Sequence, residues 1–194
     1  MKTHGRRENE TMCSTTKQKI AGTLHQMMME RPFQKITVQN LMDASGMKRQ
    51  SFYYHFQDTR EVLQWICDQE LIQPLRESGL EFEEWLLYGL ELIDRDRSFY
   101  RRVIAVPDLE FAGEMAEQML QRRVASLFYG SKELRQLNEQ QSFCVRFGAQ
   151  AIASHATEFI NSRQGLELNS AQANLRCLLE TLGLRESERR SGSV

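Results

Sequence analysis

The sequence predicts an all-α protein, a small three-helix head followed by a larger helical body. Three observations carry that expectation. Apolar residues recur three or four positions apart along most of the chain, the period of a helix face. Pro32, Gly46, Pro107, Gly130 and Gly183 stand at the ends of these periodic segments. No segment alternates apolar and polar residues with period two, as a half-buried strand would.

The head is delimited first. Residues 1–14 are polar and aperiodic and are expected to form a disordered arm, with Arg6 and Arg7 as its candidate DNA contacts. A helix is expected from about Thr15, because Ile20, Leu24, Met27 and Met28 share one helical face. Arg31-Pro32 ends it, since proline has no amide hydrogen to donate and restricts the residue before it. Thr37 has the hydroxyl of an N-cap, and Val38, Leu41 and Met42 form the apolar side of a short helix. Gly46 suits a tight turn with positive φ. A second short helix is expected from about Lys48 to Tyr54, with Phe52 and Phe56 on its buried side. Asp58 and Glu61 then give a D-x-x-E helix start. The head is thus assigned residues 15–60.

The body is assigned residues 61–184. Its first helix carries Val62, Leu63, Ile66 and Leu71 until Pro74 ends or kinks it. Phe82, Trp85, Leu86, Gly89, Leu90 and Ile93 make an amphipathic stripe. Asp94 to Arg97 is expected to turn, and a short helix to follow from Ser98 to Val106, closed by Pro107. Further helices are expected at about 108–129 (stopped by Gly130), 132–163 and 170–182 (stopped by Gly183). The tail, residues 185–194, is expected to be disordered.

Composition narrows the function classes. Hydrophobic residues form 41% of the 194, so a sizeable core is available. No apolar run approaches the roughly 20 residues that span a bilayer, and the N-terminus lacks a signal-peptide pattern. No membrane partner and a cytoplasmic location are therefore expected. Cys13, Cys67, Cys144 and Cys177 make no C-x-x-C pair and are expected to be small buried hydrophobes. The four histidines are too dispersed for a metal site, and no cofactor is expected. The net charge of −1 hides an asymmetry: residues 1–60 carry +5 and the remainder −6. A basic head on an acidic body places any polyanion at the head.

The stretch from Ile36 to Asp58 has the logic of a helix-turn-helix, in which one helix braces and the next enters the major groove. The second helix has a suitable outward set in Lys48, Arg49, Gln50, Ser51, Tyr53, Tyr54 and His55, with Thr37 at the start of the first. Lysine and arginine match guanine edges, glutamine matches adenine, and a tyrosine meets a thymine methyl or a phosphate. These eight residues are the candidate DNA-binding set.

Thr37, Ala44, Gly46, Phe52, Tyr53, His55, Phe56, Asp58 and Glu61 resemble the DNA-binding domain of the TetR/AcrR family. The pattern is a threonine-capped helix, alanine and glycine at the turn, then F-Y-x-H/Y-F and an acidic helix start. The likeness covers about residues 15–70. Three positions depart from it: Lys48 stands where serine is frequent, Gln50 where a small residue is, and Thr59 where lysine is. The run from Lys48 to Tyr53, with Gln64-Trp65-Ile66, resembles the DhaS-like subgroup, regulators of dihydroxyacetone kinase.

The resemblance implies a sequence-specific transcription regulator, repressor or activator, acting as a homodimer on a palindromic double-stranded DNA operator. It implies a C-terminal helical domain that both dimerises and takes an effector, a small molecule or a protein. The small-residue run from Gly148 to Ser154 and the stripe Leu175, Leu178, Leu179 and Leu182 are the expected dimer surfaces. Trp85, Phe99, Tyr100, Phe111, Met115, Met119, Phe143 and Phe147 are the expected effector-pocket residues, although aromatic and methionine residues at helical spacing also make plain core. An enzyme is not expected: there is no Gly-rich phosphate loop, H-E-x-x-H or G-x-S-x-G. The competing expectation is a helix-turn-helix interaction protein, a coactivator without operator binding.

Overall fold

The computed structural model describes residues 4–107, 110–130, 133–162 and 167–181, and side chains within these from residue 15 on, except 110–115. The expected tail lies outside the described residues, as do Leu182 and Gly183, and so do the side chains of Arg6, Arg7, Cys13, Phe111 and Met115. Among the described residues all regular structure is helical. The chain divides into two compact units, Met1–Gln69 with Ser98–Leu109, and Glu70–Arg97 with Glu110–Val194.

In the first unit, α1 runs His4–Glu30. The backbone is therefore helical well before Thr15, where a disordered arm was expected. Ile20, Ala21, Leu24, Met27 and Met28 are buried along one face of α1. Arg31 makes the last helical bond, to the Met27 carbonyl at 3.0 Å, before Pro32 stops the ladder. A 3-10 turn, Phe33–Lys35, buries Phe33 and leads to α2, Val38–Ser45. Gly46 sits at φ +65° and closes α2, its amide pointing back to the Asp43 and Met42 carbonyls. An L side chain is disfavoured in this left-handed conformation. Next come α3, Arg49–His55, and α4, Thr59–Cys67.

From Thr59 the chain stays helical through a π turn, Asp68–Ile72, into α5, Gln73–Glu77. Pro74 explains the change of pitch: its ring would crowd the Glu70 carbonyl in a regular helix, and the wider turn relieves that clash. The boundary between the units falls inside this turn, after Gln69. The sequence placed the head's end at residue 60 and the connection between head and body within the helix that follows, the helical stretch in which this boundary lies.

The first unit also includes α7, Arg97–Val103, from Ser98 on, which the sequence assigned to the body. Phe99 stacks on His25 of α1 with ring centroids 4.3 Å apart. Arg102 donates to the Met29 carbonyl at 2.7 Å, and Arg60 to that of Pro107 at 3.2 Å.

The second unit is built on α6, Phe82–Arg95, which buries Phe82, Trp85, Leu86, Leu90, Leu92 and Ile93, close to the expected stripe. The Trp85 indole donates to the Leu75 carbonyl at 2.9 Å, and Arg123 lies over its ring at 5.1 Å. Helix α8 spans Glu110–Tyr129 and stops at Gly130, φ +71°. Helix α9, Glu139–Asn161, starts later than expected because Asn138 caps it reciprocally with Gln141. Helix α10, Leu168–Thr181, packs on α6 and α9 through buried Ala171, Leu175 and Leu179. His155 of α9 bonds the Ala171 carbonyl at 2.9 Å. Cys67 is buried, whereas Cys144 and Cys177 are exposed, contrary to the expectation of buried thiols.

Candidate nucleic-acid interface

The site is assembled from two short helices whose ends are fixed by local chemistry. Thr37 accepts from the Asn40 amide at 3.1 Å, and Asn40 Oδ1 accepts from the Thr37 amide at 3.3 Å. This reciprocal box satisfies two amides at the start of α2. The Thr37 hydroxyl also donates to Asn40 Oδ1 at 2.8 Å, so it is engaged in the cap although the residue is exposed. At the far end, Gly46 turns the chain and the Met47 amide reaches back to the Met42 carbonyl at 3.1 Å. Helix α3 begins two residues later.

Two phenylalanines hold α3 in place. Phe52 is fully buried and Phe56 is 3% exposed, as their spacing predicted. Their ring centroids are 6.0 Å apart, and Phe56 meets Trp65 of α4 edge-on at 6.2 Å. Asp58 caps α4 by accepting from the Glu61 amide at 2.9 Å, which sets the exit of α3.

With that face anchored, the rest of α3 turns outward. Tyr54 is 81% exposed and Tyr53 51%. Lys48, Arg49 and Gln50 are exposed, while Ser51 and His55 are half-buried at the flank. Seven of the eight candidate residues therefore cluster on and just before α3, and Thr37 stands at the start of the neighbouring helix. Lys48 occupies the N-cap position of α3 but makes no side-chain cap bond, the consequence of an ammonium where serine would supply an acceptor. Arg49 donates to the Tyr53 hydroxyl at 3.2 Å.

Sequence reasoning missed Lys17. Its ammonium lies 5.3 Å from the Phe56 ring centroid. Burial pushes the His55 pKa below its ordinary value, and the nearby Lys17 charge pushes it in the same direction. His55 is accordingly neutral at physiological pH, a hydrogen-bonding group and not a cation. The signal for Lys17 was three-dimensional: one turn before Ile20 it lies on α1, far in sequence from α3.

The candidate effector residues are divided between the two units. Phe99 and Tyr100 are buried in the first unit, with Phe99 stacked on His25. Trp85 is buried core in the second unit, its indole bonded. Met119 is half-buried. Phe143 and Phe147 stack at 6.1 Å on the exposed face of α9, at 60% and 62% exposure. Helical period placed these residues on helix faces but could not say which faces meet. An open groove of about 390 Å³ lies in the first unit instead, bordered by Thr23, Gln26, Glu30 and Arg31 of the α1 end and by Asn40 and Asp43 of α2.

Of the expected dimer surfaces, Ala151, Ala153 and Leu178 are half-buried and Gln150 and Ser154 are exposed. Gly148, Ala149 and Ile152 are buried, as are Leu175 and Leu179. A Cβ on Gly148 would stand 3.3 Å from Val124 Cγ1, so the small residue serves the α8–α9 contact within one chain.

An all-α chain with a capped helix, a left-handed glycine turn and an outward-facing polar helix has the layout of the helix-turn-helix class. Known proteins agree with that class. The chain is 26% identical over 178 residues to the HTH-type dhaKLM operon transcriptional activator DhaS of Lactococcus lactis subsp. lactis (strain IL1403), covering 89% of this chain and 93% of that protein. The solved structure of a dihydroxyacetone kinase operon activator DhaS matches with a TM-score of 0.62 at 21% identity, over 86% of this chain and 95% of that one. No family model matches the chain. The fold is that of the DhaS structure, and the similar proteins are transcriptional regulators. Among the described residues no helix is long and apolar enough to cross a membrane.

Proposed function

We propose that the protein is a sequence-specific regulator that binds a palindromic DNA operator as a homodimer, with α3 in the major groove. The observation that carries this is the division of α3 into a buried side, Phe52, and an outward side of Arg49, Gln50, Tyr53 and Tyr54. A structural helix has no need of such a display, whereas a groove-reading helix requires it. Gln50 and Tyr54 lie furthest from the buried side and face the base edges. Lys48, with its unconstrained ammonium, and Lys17 supply charge to phosphates. An interaction protein without operator binding would gain nothing from the +5 charge of residues 1–60.

Two copies on a two-fold axis read half-sites about 34 Å apart, one turn of the duplex. The surface that α9 leaves for a second copy carries Phe143 and Phe147, large rings that a monomer would expose to water. An effector acting on the second unit, a small molecule or a protein, controls operator binding.

The test is selection of duplexes from a random pool by the full-length protein, followed by affinity measurements over a salt series. A near-palindromic consensus should emerge, with log affinity falling by about 0.9 per phosphate contact for each decade of salt. Gln50→Ala should relax base preference at one position per half-site, by about 1–3 kcal/mol. Absence of any enriched sequence refutes the proposal.

A further inference from the structure

Arg49 and Tyr53 are one turn apart on α3 and are both exposed, yet they are not independent. The Arg49 Nη2 group donates to the Tyr53 hydroxyl at 3.2 Å, and the guanidinium carbon lies 5.6 Å from the centroid of the same ring. The tyrosine ring has a contact of its own on the inner side: it meets Phe52 edge-on, centroids 5.4 Å apart and planes at 89°, and Phe52 has no exposed surface. A chain of contacts therefore runs from the core of the first unit, through the Tyr53 ring, to the Arg49 head group. A solvent-exposed arginine otherwise samples many rotamers, and ordering it on binding opposes recognition.

A mobile lysine meets a phosphate as a point charge from many directions, without bracing. A guanine edge is different. Its O6 and N7 acceptors accept two parallel N–H bonds only from a guanidinium held at the right angle. One N–H of Arg49 is spent on Tyr53, and a guanidinium has five, so enough remain for a bidentate contact. The Tyr53 hydroxyl, in accepting that bond, keeps its own proton available toward the DNA.

Building on the proposed operator binding, we infer that Arg49 is the guanine-reading residue of this protein and that Tyr53 is its positioning residue, acting on base preference through Arg49. Lys48, beside it without a cap bond, is a phosphate residue in contrast.

The experiment uses the duplex selected from a random pool by the full-length chain, with each guanine replaced in turn by 7-deazaguanine. That base pairs normally but lacks the N7 acceptor. In parallel, single phosphates are replaced by methylphosphonate. Wild-type protein should lose about tenfold in affinity at one guanine per half-site. Arg49→Ala should bind the 7-deaza and normal duplexes alike. Tyr53→Phe keeps the ring and removes only the hydroxyl. It should keep the wild-type melting temperature and salt dependence, while its penalty at the same guanine shrinks to less than about threefold. An undiminished penalty in Tyr53→Phe overturns the positioning role. An Arg49→Ala variant that loses sensitivity to a methylphosphonate, and not to 7-deazaguanine, makes Arg49 a phosphate contact and overturns the inference. A pool that yields no enriched sequence removes the underlying proposal and the inference with it, so the two failures are distinguishable.

Discussion

Truncating Phe52 and Tyr54, two residues apart on one helix, should abolish operator binding for opposite reasons. Phe52 has no exposed surface and packs on the Phe56 and Tyr53 rings at centroid distances of 6.0 and 5.4 Å. A buried phenyl side chain takes about 150 Å² out of water, worth about 4 kcal/mol at about 25 cal/mol per Å². The residual cavity adds to this and local collapse subtracts, so Phe52→Ala should cost the first unit about 3–5 kcal/mol. Tyr54 is 81% exposed, and Tyr54→Ala should change stability by no more than about 0.5 kcal/mol. Because the chain has two units, a single melting curve mixes their transitions. Amide hydrogen exchange resolved along α1 to α4 isolates the first unit, and fluorescence anisotropy on the selected duplex measures binding. Phe52→Ala should lose protection across α1 to α4 and bind no duplex. Tyr54→Ala should keep protection and lose affinity only. A Phe52→Ala variant with protection lowered by less than about 1 kcal/mol would show that α3 is not anchored as described.

Two further outcomes follow from local geometry. Gly46→Ala should destabilise the first unit by about 1–2 kcal/mol through backbone conformation alone, since φ is +65° and an added Cβ meets nothing within 4 Å. Gly46→Asn should cost less, and denaturant midpoints read by exchange in α2 will rank the two. His55 titrates lower in the folded protein than in the unfolded chain, where its pKa is about 6.5. Below that pH the unfolded state binds more protons, so stability is at its plateau above about 6.5 and falls on acidification through the lowered folded value. His55→Gln should lose less stability than wild type between about pH 7.5 and 5, as thermal melts at each pH would record.

The head was legible because its instructions are local. Thr37, Gly46 and Asp58 each act on backbone groups within three or four residues, and Phe52 and Phe56 need only helical spacing to reveal a buried side. The extent of the unit was less legible. Phe99, Arg102 and Pro107 join it through His25, Met29 and Arg60, partners tens of residues away that no window of sequence connects. Pro74 announced a disturbance at the right place, but proline alone does not distinguish a helix end from a π turn that lets the helix continue. Whether the aromatic residues line a pocket was illegible for a related reason. Aromatic spacing marks a face, and whether that face meets core, solvent or a cavity depends on the neighbouring helix.

The α9 helix shows how far such ambiguity reaches, and it can be resolved by one pair of variants. Small residues permit close helix approach, but the sequence does not say whether the approaching helix belongs to the same chain. Here Val124 Cγ1 and Phe128 Cε2 stand 3.3 and 3.6 Å from the position of a Gly148 Cβ, so α8 fills that space. Phe143 and Phe147 project from another side of α9 and remain exposed. A branched side chain at 148 must displace α8, and Gly148→Leu should destabilise the second unit by about 1–3 kcal/mol or more through overpacking. The self-association constant of the folded fraction should stay unchanged. Phe147→Glu should do the reverse: it replaces an exposed ring by a charge, leaves the melting temperature of the monomer intact, and raises the dimer dissociation constant by at least about tenfold, since burying that charge without a partner costs more than 1.4 kcal/mol. Sedimentation velocity over a concentration series, paired with thermal melts, separates the two effects. If Gly148→Leu dissociates the dimer while Phe147→Glu leaves it untouched, the small-residue run lies between subunits after all and the proposed association through the Phe143–Phe147 face is wrong.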